Sequence, residues 1–503
     1  MRIGDWHALS NRLLNAFLAG TDNRGVVSPY LLEKLPSQDT GTWNVRADGT
    51  MQTVLTLRPG VRWHDGAPLT SHDVVFAYQI YRDTEVPNQW VDPERLISSV
   101  VARDERTVAV EWSQPYFEAG FPAERDLLPL PSHLLEELYT RDKQAFIDSP
   151  FWTSDAYVGT GPFRVAERDY GVQLAYTANP DFFLGKPRID RIELKIVPDR
   201  NAIVSRLLAG DVDFSEDILP DNAVLLRDHW SAGGEGVVYV DGSKIRTLVP
   251  QQREVPNYQP ALRDVRVRRA LMHAIDREAL AEASTSGLSR AADSFFSTND
   301  RLWPQIEQAI VRYPYDARRA EALLAEAGWT MTGGSLQNAS GRAFDLEVSA
   351  AANRFRDVPP IVDYLKRVGI DARPILVTPG ADREATVSFA GVELAGGEPI
   401  AYYVVASTEL PGPTDRWTGR NSSSYSNPEM DDLLARLNTS LNSAERDDLF
   451  VAIERFITTE LPRGPLIYDV NVAAGLSQVK GVKGHSKARN PSYAFNAYEW
   501  WIE

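Results

Sequence analysis

Seven histidines, His7, His64, His72, His133, His229, His273 and His485, are the first residues to weigh for chemistry. No two stand four residues apart, the spacing that puts two imidazoles on one helical face for a metal. His64 precedes Asp65, which suggests a base beside its orienting acid, but neighbours on an extended chain point to opposite faces. His64-Asp65-Gly66 therefore reads as a turn. Gly159-Thr160-Gly161 opens like a dinucleotide loop, yet Pro162 follows and no third glycine arrives, so it too reads as a tight turn. The chain has no Gly-x-Ser-x-Gly elbow, no His-Glu-x-x-His, no Walker loop and no calcium-loop pattern. It also has no cysteine, which removes thiolate nucleophiles, disulfides and a lipid-bearing N-terminal cysteine. Its 69 acids could supply a carboxylate pair for hydrolysis, but no spacing singles one out. No catalysis, cofactor or metal is expected.

The elements that would position side chains are easier to read. Thr53 to Leu57 alternates as a strand and turns at Arg58-Pro59-Gly60. Thr70-Ser71-His72-Asp73 has capping-box spacing, with Val74, Ala77, Tyr78 and Tyr81 at helical intervals behind it. Thr107 to Trp112, Gln173 to Tyr176 and Ile192 to Val197 read as further strands. Asp264 precedes a helix whose Val267, Ala270, Leu271, Ala274 and Ile275 form one apolar stripe, leaving Arg266, Arg268 and Arg269 on a solvated face. Two later helices stop at Gly328 and Gly369, the second before a strand from Ile370 to Val377. The pattern is mixed α/β.

The 503 residues exceed what one hydrophobic core serves, so two or more lobes are expected. A net charge of -16 repels phosphate backbones, so nucleic acid is not an expected partner. No run of 18 apolar residues could span a bilayer, and the first twenty residues lack a basic segment followed by an apolar one. The Gly-rich stretch SAGGEGVVYVDGSK marks a lobe boundary near 240 to 250, with a return crossing near 465 to 469.

Six ordered blocks carry a resemblance. LRPGVRWHDGAPLTSHDVVFAYQIYRD comes first, then GTGPFRV with NPDFFLGKPRIDRIELKIVPD. DVRVRRALMHAIDREAL, YDARRAEALLAEAGW, YLKRVGIDARPI and YSNPEMDDLLARL follow. Together they resemble the bacterial extracellular solute-binding proteins of family 5, the oligopeptide, dipeptide and nickel-binding receptors of ABC importers. The resemblance implies an α/β fold of the periplasmic-binding-protein-like type II (cluster C), with two ligand-binding lobes of mixed sheets and an extra N-terminal lobe. Carried onto this chain, the first ligand-binding lobe takes 1–25, 158–245 and 468–503, the extra lobe 26–157 and the second ligand-binding lobe 246–467.

The function so implied is an extracytoplasmic, monomeric receptor that closes on a peptide or similar small organic solute and delivers it to a membrane ABC permease. An oligosaccharide or a nickel chelate is the alternative ligand, a hydrolase of an oligomeric substrate is the alternative of another class, and an exported protein implies a signal segment ahead of Met1. Peptide receptors of this family carry an Asp followed by an aromatic shortly before the YSNPEMDDLL-like block. Here that stretch reads STELPGPTDRWTGRNSSSYSNPE, and neither Glu409 nor Asp415 is followed by an aromatic. The loop still has the Pro and Gly content of an ordered ligand-facing segment, with side chains free to serve a solute. Glu409, Arg416, Trp417 and Tyr425 are its expected contacts. Gln251 and Gln252 could add amide contacts. Arg354 and Arg356 could pair a carboxylate, although arginines in such a polar loop are more often solvated.

Overall fold

A computed structural model describes residues 8–86, 96–119, 127–169, 171–378, 383–397, 402–415, 417–487 and 491–503. Contacts divide the chain into two units, 1–241 with 472–503, and 242–471.

In the first unit a four-stranded antiparallel sheet runs in the order Trp43–Val45, Met51–Thr56, Thr107–Trp112, Ile97–Ala102. Along Met51–Thr56 every second residue is buried, the period a half-buried strand requires. The helix Ser71–Arg82 follows its expected start, where the Thr70 N–H donates to Asp73 Oδ2 at 2.8 Å. A second antiparallel sheet joins Phe163–Asp169, Gln173–Ala178 and Arg191–Lys195.

Two turns imitate catalytic motifs, His64–Gly66 between strands of the first sheet and Gly159–Gly161 just ahead of the second, and each is structural. His64 is buried; its Nδ1 accepts from the Gly159 N–H at 3.1 Å, which leaves Nε2 to donate to the Gly161 carbonyl, also at 3.1 Å. Asp65 points elsewhere, to His133 Nε2 at 2.7 Å. The glycines are required by close approach: a Cβ on Gly159 would stand 2.0 Å from the Leu14 carbonyl oxygen, and one on Gly161 2.3 Å from Leu14 C.

The second unit is built on a mixed sheet in which Gly464–Leu476, Gly236–Pro250, Val392–Gly397, Asp345–Ala350 and Asp371–Leu376 are successive neighbours. The first two of these strands carry the chain between units, changing unit at 471/472 and 241/242. One face of the sheet supplies Leu248, Leu346, Val348, Val392 and Leu394 to a large core completed by helices Val265–Ala274, Ala317–Glu326 and Val358–Arg367. Two of these helices run to the expected glycines, Gly328 and Gly369, both at positive φ. The third helix corrects an expectation. Arg268 is 4% exposed, not solvated, and donates to the carbonyls of Leu262, Arg263 and Glu460. Arg269 reaches the Thr459 carbonyl, and Arg266 alone keeps to the surface, on Asp264. Arg268 and Arg269 satisfy open carbonyls at the end of helix Ser443–Glu460, a favourable place for cations.

Candidate functional site

Strand parity decides what the other face of this sheet carries. With Val392 and Leu394 in the core, Glu393 must project from the opposite face. It sits between Val249 on one neighbouring strand and Ser349 on the other. Thr247 faces the same way, 1% exposed, and its hydroxyl has no hydrogen-bond partner. An acid and an unpartnered hydroxyl on a buried sheet face are costly unless something meets them.

The segment 402–425, described except for residue 416, is tied down around this strand. Tyr402 donates to Glu454 Oε1 at 2.9 Å, and Ser407 donates from Oγ to Asp431 at 2.6 Å. Asn421 donates to the carbonyls of Ala406 and Tyr425. The Gln252 N–H donates to the Ser423 carbonyl at 2.8 Å, and the Gln251 N–H to the Gly391 carbonyl at 2.9 Å, joining the loop to the start of the Glu393 strand. Arg463, just ahead of the strand Gly464–Leu476, donates from Nη2 to Ser422 Oγ at 3.3 Å.

Electrostatically this corner is a half-buried acid among three cations, Arg463 buried, Arg354 half-buried and Arg383 exposed. Burial raises the Glu393 carboxyl above its ordinary value, opposed by the charges of Arg463, Arg354 and Arg383. Burial likewise lowers Arg463 and Arg354. Arg463 is 5% exposed, and its Nε has no partner; the Arg354 Nε is also buried without one. Trp417 lies beside the group: Arg253 stacks on its ring with Cζ 4.9 Å from the centroid, and Arg383 Nε donates to its carbonyl at 3.0 Å. The φ of Trp417 is 63°, left-handed backbone that a bulky residue adopts only when its surroundings impose it.

The expected contacts are placed as follows. Glu409 is 3% exposed, so its side chain is not a free loop group. Tyr425 is buried, and burial pushes its phenol up to about 12. Gln251 is fully buried, its amide donating to the Val387 carbonyl and accepting from the N–H groups of Gln252 and Arg253. Gln252 keeps a buried Nε2 without a partner. Arg354 is half-buried and lies flat on the strand, where a Cβ at Gly396 would stand 2.4 Å from its Nη2. Arg356 donates to the Ser284 carbonyl. Arg416 lies outside the described residues.

Sequence reading missed Glu393, Arg463 and Arg253. The signal for Glu393 was present, an acid interrupting the apolar run of VELA. Nothing local marked Arg463. Among the described residues no three His, Asp or Glu side chains gather as a metal site.

The arrangement places charged groups of both signs on one unit of a two-unit chain. The family described as bacterial extracellular solute-binding proteins, family 5 Middle, matches residues 36–398. Oligopeptide-binding protein AppA of Bacillus subtilis is 25% identical over 515 residues, covering 97% of this chain and 86% of that protein. Among solved structures, the oligopeptide-binding protein of Thermus thermophilus complexed with a pentapeptide superposes with a TM-score of 0.81 at 21% identity, over 98% of this chain and 92% of that one. NikZ from Campylobacter jejuni, in complex with Ni(L-His), gives 0.79 at 21% identity, over 97% and 94%. The fold is therefore the mixed α/β fold of the type II periplasmic binding proteins. With the family match running from the first unit deep into the second, the chain belongs to the bacterial extracellular solute-binding proteins of family 5.

Proposed function

We propose that this protein is a receptor outside the cytoplasm that captures a peptide or similar small organic solute and delivers it to a membrane ABC importer without catalysing a reaction. Family membership supports the class, and one structural observation supports the mode of action. The chain passes between its two units only twice, at 241/242 and 471/472, inside two extended strands. Two units with separate interiors joined by a pair of strands can rotate as rigid bodies about those strands. In this reading the receptor acts as a monomer. The proposed first ligand-binding lobe takes 1–25, 158–245 and 468–503, and the extra lobe 26–157. The second ligand-binding lobe is 246–467, with Gln252, Arg354, Arg356, Trp417 and residue 416 among its contacts.

The test is a thermal-shift panel of di- to pentapeptides, cello-oligosaccharides and nickel chelates, followed by native mass spectrometry to name any solute carried through purification. A ligand at a hundredfold excess over its dissociation constant stabilises the fold by about 2.7 kcal/mol. The class that raises the melting temperature identifies the solute. No shift from any class, with no captured solute, overturns the receptor reading; turnover of a peptide or oligosaccharide overturns the non-catalytic one.

A further inference from the structure

One face of helix Ser443–Glu460 ties three distant stretches of the second unit together. Glu454 on that face is 0% exposed, and both of its carboxylate oxygens are used. Oε2 accepts from Ser294 Oγ at 2.6 Å and from the Phe295 N–H at 3.0 Å, and Oε1 accepts from the Tyr402 hydroxyl at 2.9 Å. One turn earlier, Phe450 meets the rings of Phe296 and Tyr402 with centroids 5.7 and 6.0 Å away. The Phe296 carbonyl in turn accepts from the Tyr468 hydroxyl at 2.6 Å, on the strand Gly464–Leu476 that carries the chain out of the unit. In the other direction Tyr402 opens the short turn Tyr402–Val405. The Ala406 carbonyl just after it accepts from Asn421 Nδ2 at 2.9 Å. A single carboxylate thus stands between the crossing strand and the segment that bears Trp417.

Three donors converge on this group, and only an ionised carboxylate serves all three as acceptor. Elsewhere in the unit buried charges have counterions, Arg246 with Asp357 and Asp469 and Arg277 with Asp293. Among the described residues no basic side chain pairs with Glu454. The titratable groups that face it are Tyr402 and Tyr468; Asp300 acts on the first, and Asp293, Arg290 and Arg277 act on the second. The flanking helices Trp303–Ala309 and Pro428–Thr439 bring no further charge that acts on it. A buried acid without a counterion is held ionised by its hydrogen bonds alone, and burial, which they oppose, raises its carboxyl above its ordinary value. A proton on Oε1 would set a second donor against the Tyr402 hydroxyl. Tyr402 is 4% exposed, so solvent does not replace the lost acceptor and the bond to the segment fails.

We propose that Glu454 is a positioning residue: its carboxylate locks the segment 402–425 to the strand Gly464–Leu476, and protonation of that carboxylate releases the lock. It acts through Tyr402. The inference rests on the receptor reading above only in taking that segment as solute-facing, and it adds a device by which acid loosens the segment.

The experiment is hydrogen exchange read by mass spectrometry on the ligand-free protein at pH 7 and pH 5, corrected for the intrinsic pH dependence of exchange. In the parent, peptides from 402–425 should exchange about fivefold faster or more at pH 5, while peptides from 330–337 in the same unit stay unchanged. Glu454→Gln fixes the neutral form, so its 402–425 peptides should exchange at pH 7 as the parent's do at pH 5, with no further change on acidification. Tyr402→Phe removes the same bond without altering the acid and should give the same pH-independent rise, which decides the matter if Glu454→Gln folds poorly. Equal protection of 402–425 at both pH values in the parent overturns the inference, as does a pH dependence that survives in either variant. Faster exchange across the whole unit, in place of this segment alone, overturns it too, because that marks Glu454 as a general support of the fold. The measurement needs no ligand, so its failure leaves the receptor reading standing, and failure of the ligand panel leaves the lock standing.

Discussion

Arg246 Nη2 stands 2.7 Å from Asp469 Oδ1, so the strand that brings the chain into the second unit is pinned to the strand that takes it out, 223 positions later. Nη1 of the same guanidinium meets Asp357, which also accepts from Ser284 Oγ at 2.7 Å. Burial lowers the guanidinium and the two carboxylates raise it, with a net rise above its ordinary value. Removing it would take the nearest cation from buried Asp357, leaving Arg356 Nε at 3.7 Å, and from half-buried Asp469. Arg246→Ala is expected to cost about 3–5 kcal/mol, seen as an earlier urea midpoint. Replacing Arg246, Asp357 and Asp469 together by apolar residues should recover most of that. A single-variant loss under about 1 kcal/mol would show that solvent already screens the pair.

His64 makes stability depend on pH in a predictable direction. Burial holds its imidazole at about 4, against an ordinary 6.5. As pH falls from 6.5 towards 4 the unfolded chain takes up this proton and the folded chain does not, so stability is full above the window and is lost through it. The loss is about 3 kcal/mol. His64→Gln should be less stable than the parent at pH 7, with a gap that narrows towards pH 4.5. A gap independent of pH in denaturation experiments would mean that His64 is not the titrating group.

Gly161 tests the close approach to Leu14. A methyl there meets backbone at 2.3 Å, and backbone cannot swing aside like a side chain. Gly161→Ala should cost about 3 kcal/mol of first-unit stability. Gly20→Ala, where a Cβ meets nothing within 4 Å and φ is not positive, is the control and should be near neutral. Equal melting temperatures for the two variants would contradict the packing argument.

Trp417 is the expected contact whose placement leaves a flat face near the polar cluster, half-buried and stacked with Arg253. Trp417→Ala should weaken binding of the solute named by mass spectrometry by about 2 kcal/mol, measured by calorimetry. The chain should remain folded by circular dichroism. Parental affinity would remove this loop from the ligand contacts.

What was legible in the sequence was whatever a few neighbouring residues decide. Thr70 and Asp73 stand three apart and start a helix; Gly328 and Gly369 take the left-handed backbone that ends one; Thr107 to Trp112 alternates and pairs as a strand. The block order likewise gave the family, since each block records a local stretch of fold. Burial of single polar residues was not local. Arg268 looked solvated because its partner Glu460 lies 192 positions away, and Arg354 looked loose because only folding brings it over Gly396. Glu393 took its place on the sheet face opposite the core, and Glu409 in the interior, only when strand pairing and loop anchoring had been set by contacts across the whole second unit. Periodicity reports which face a residue takes; what stands opposite that face is supplied by distant chain, and for a charge the partner decides whether the position is structural or open to a solute.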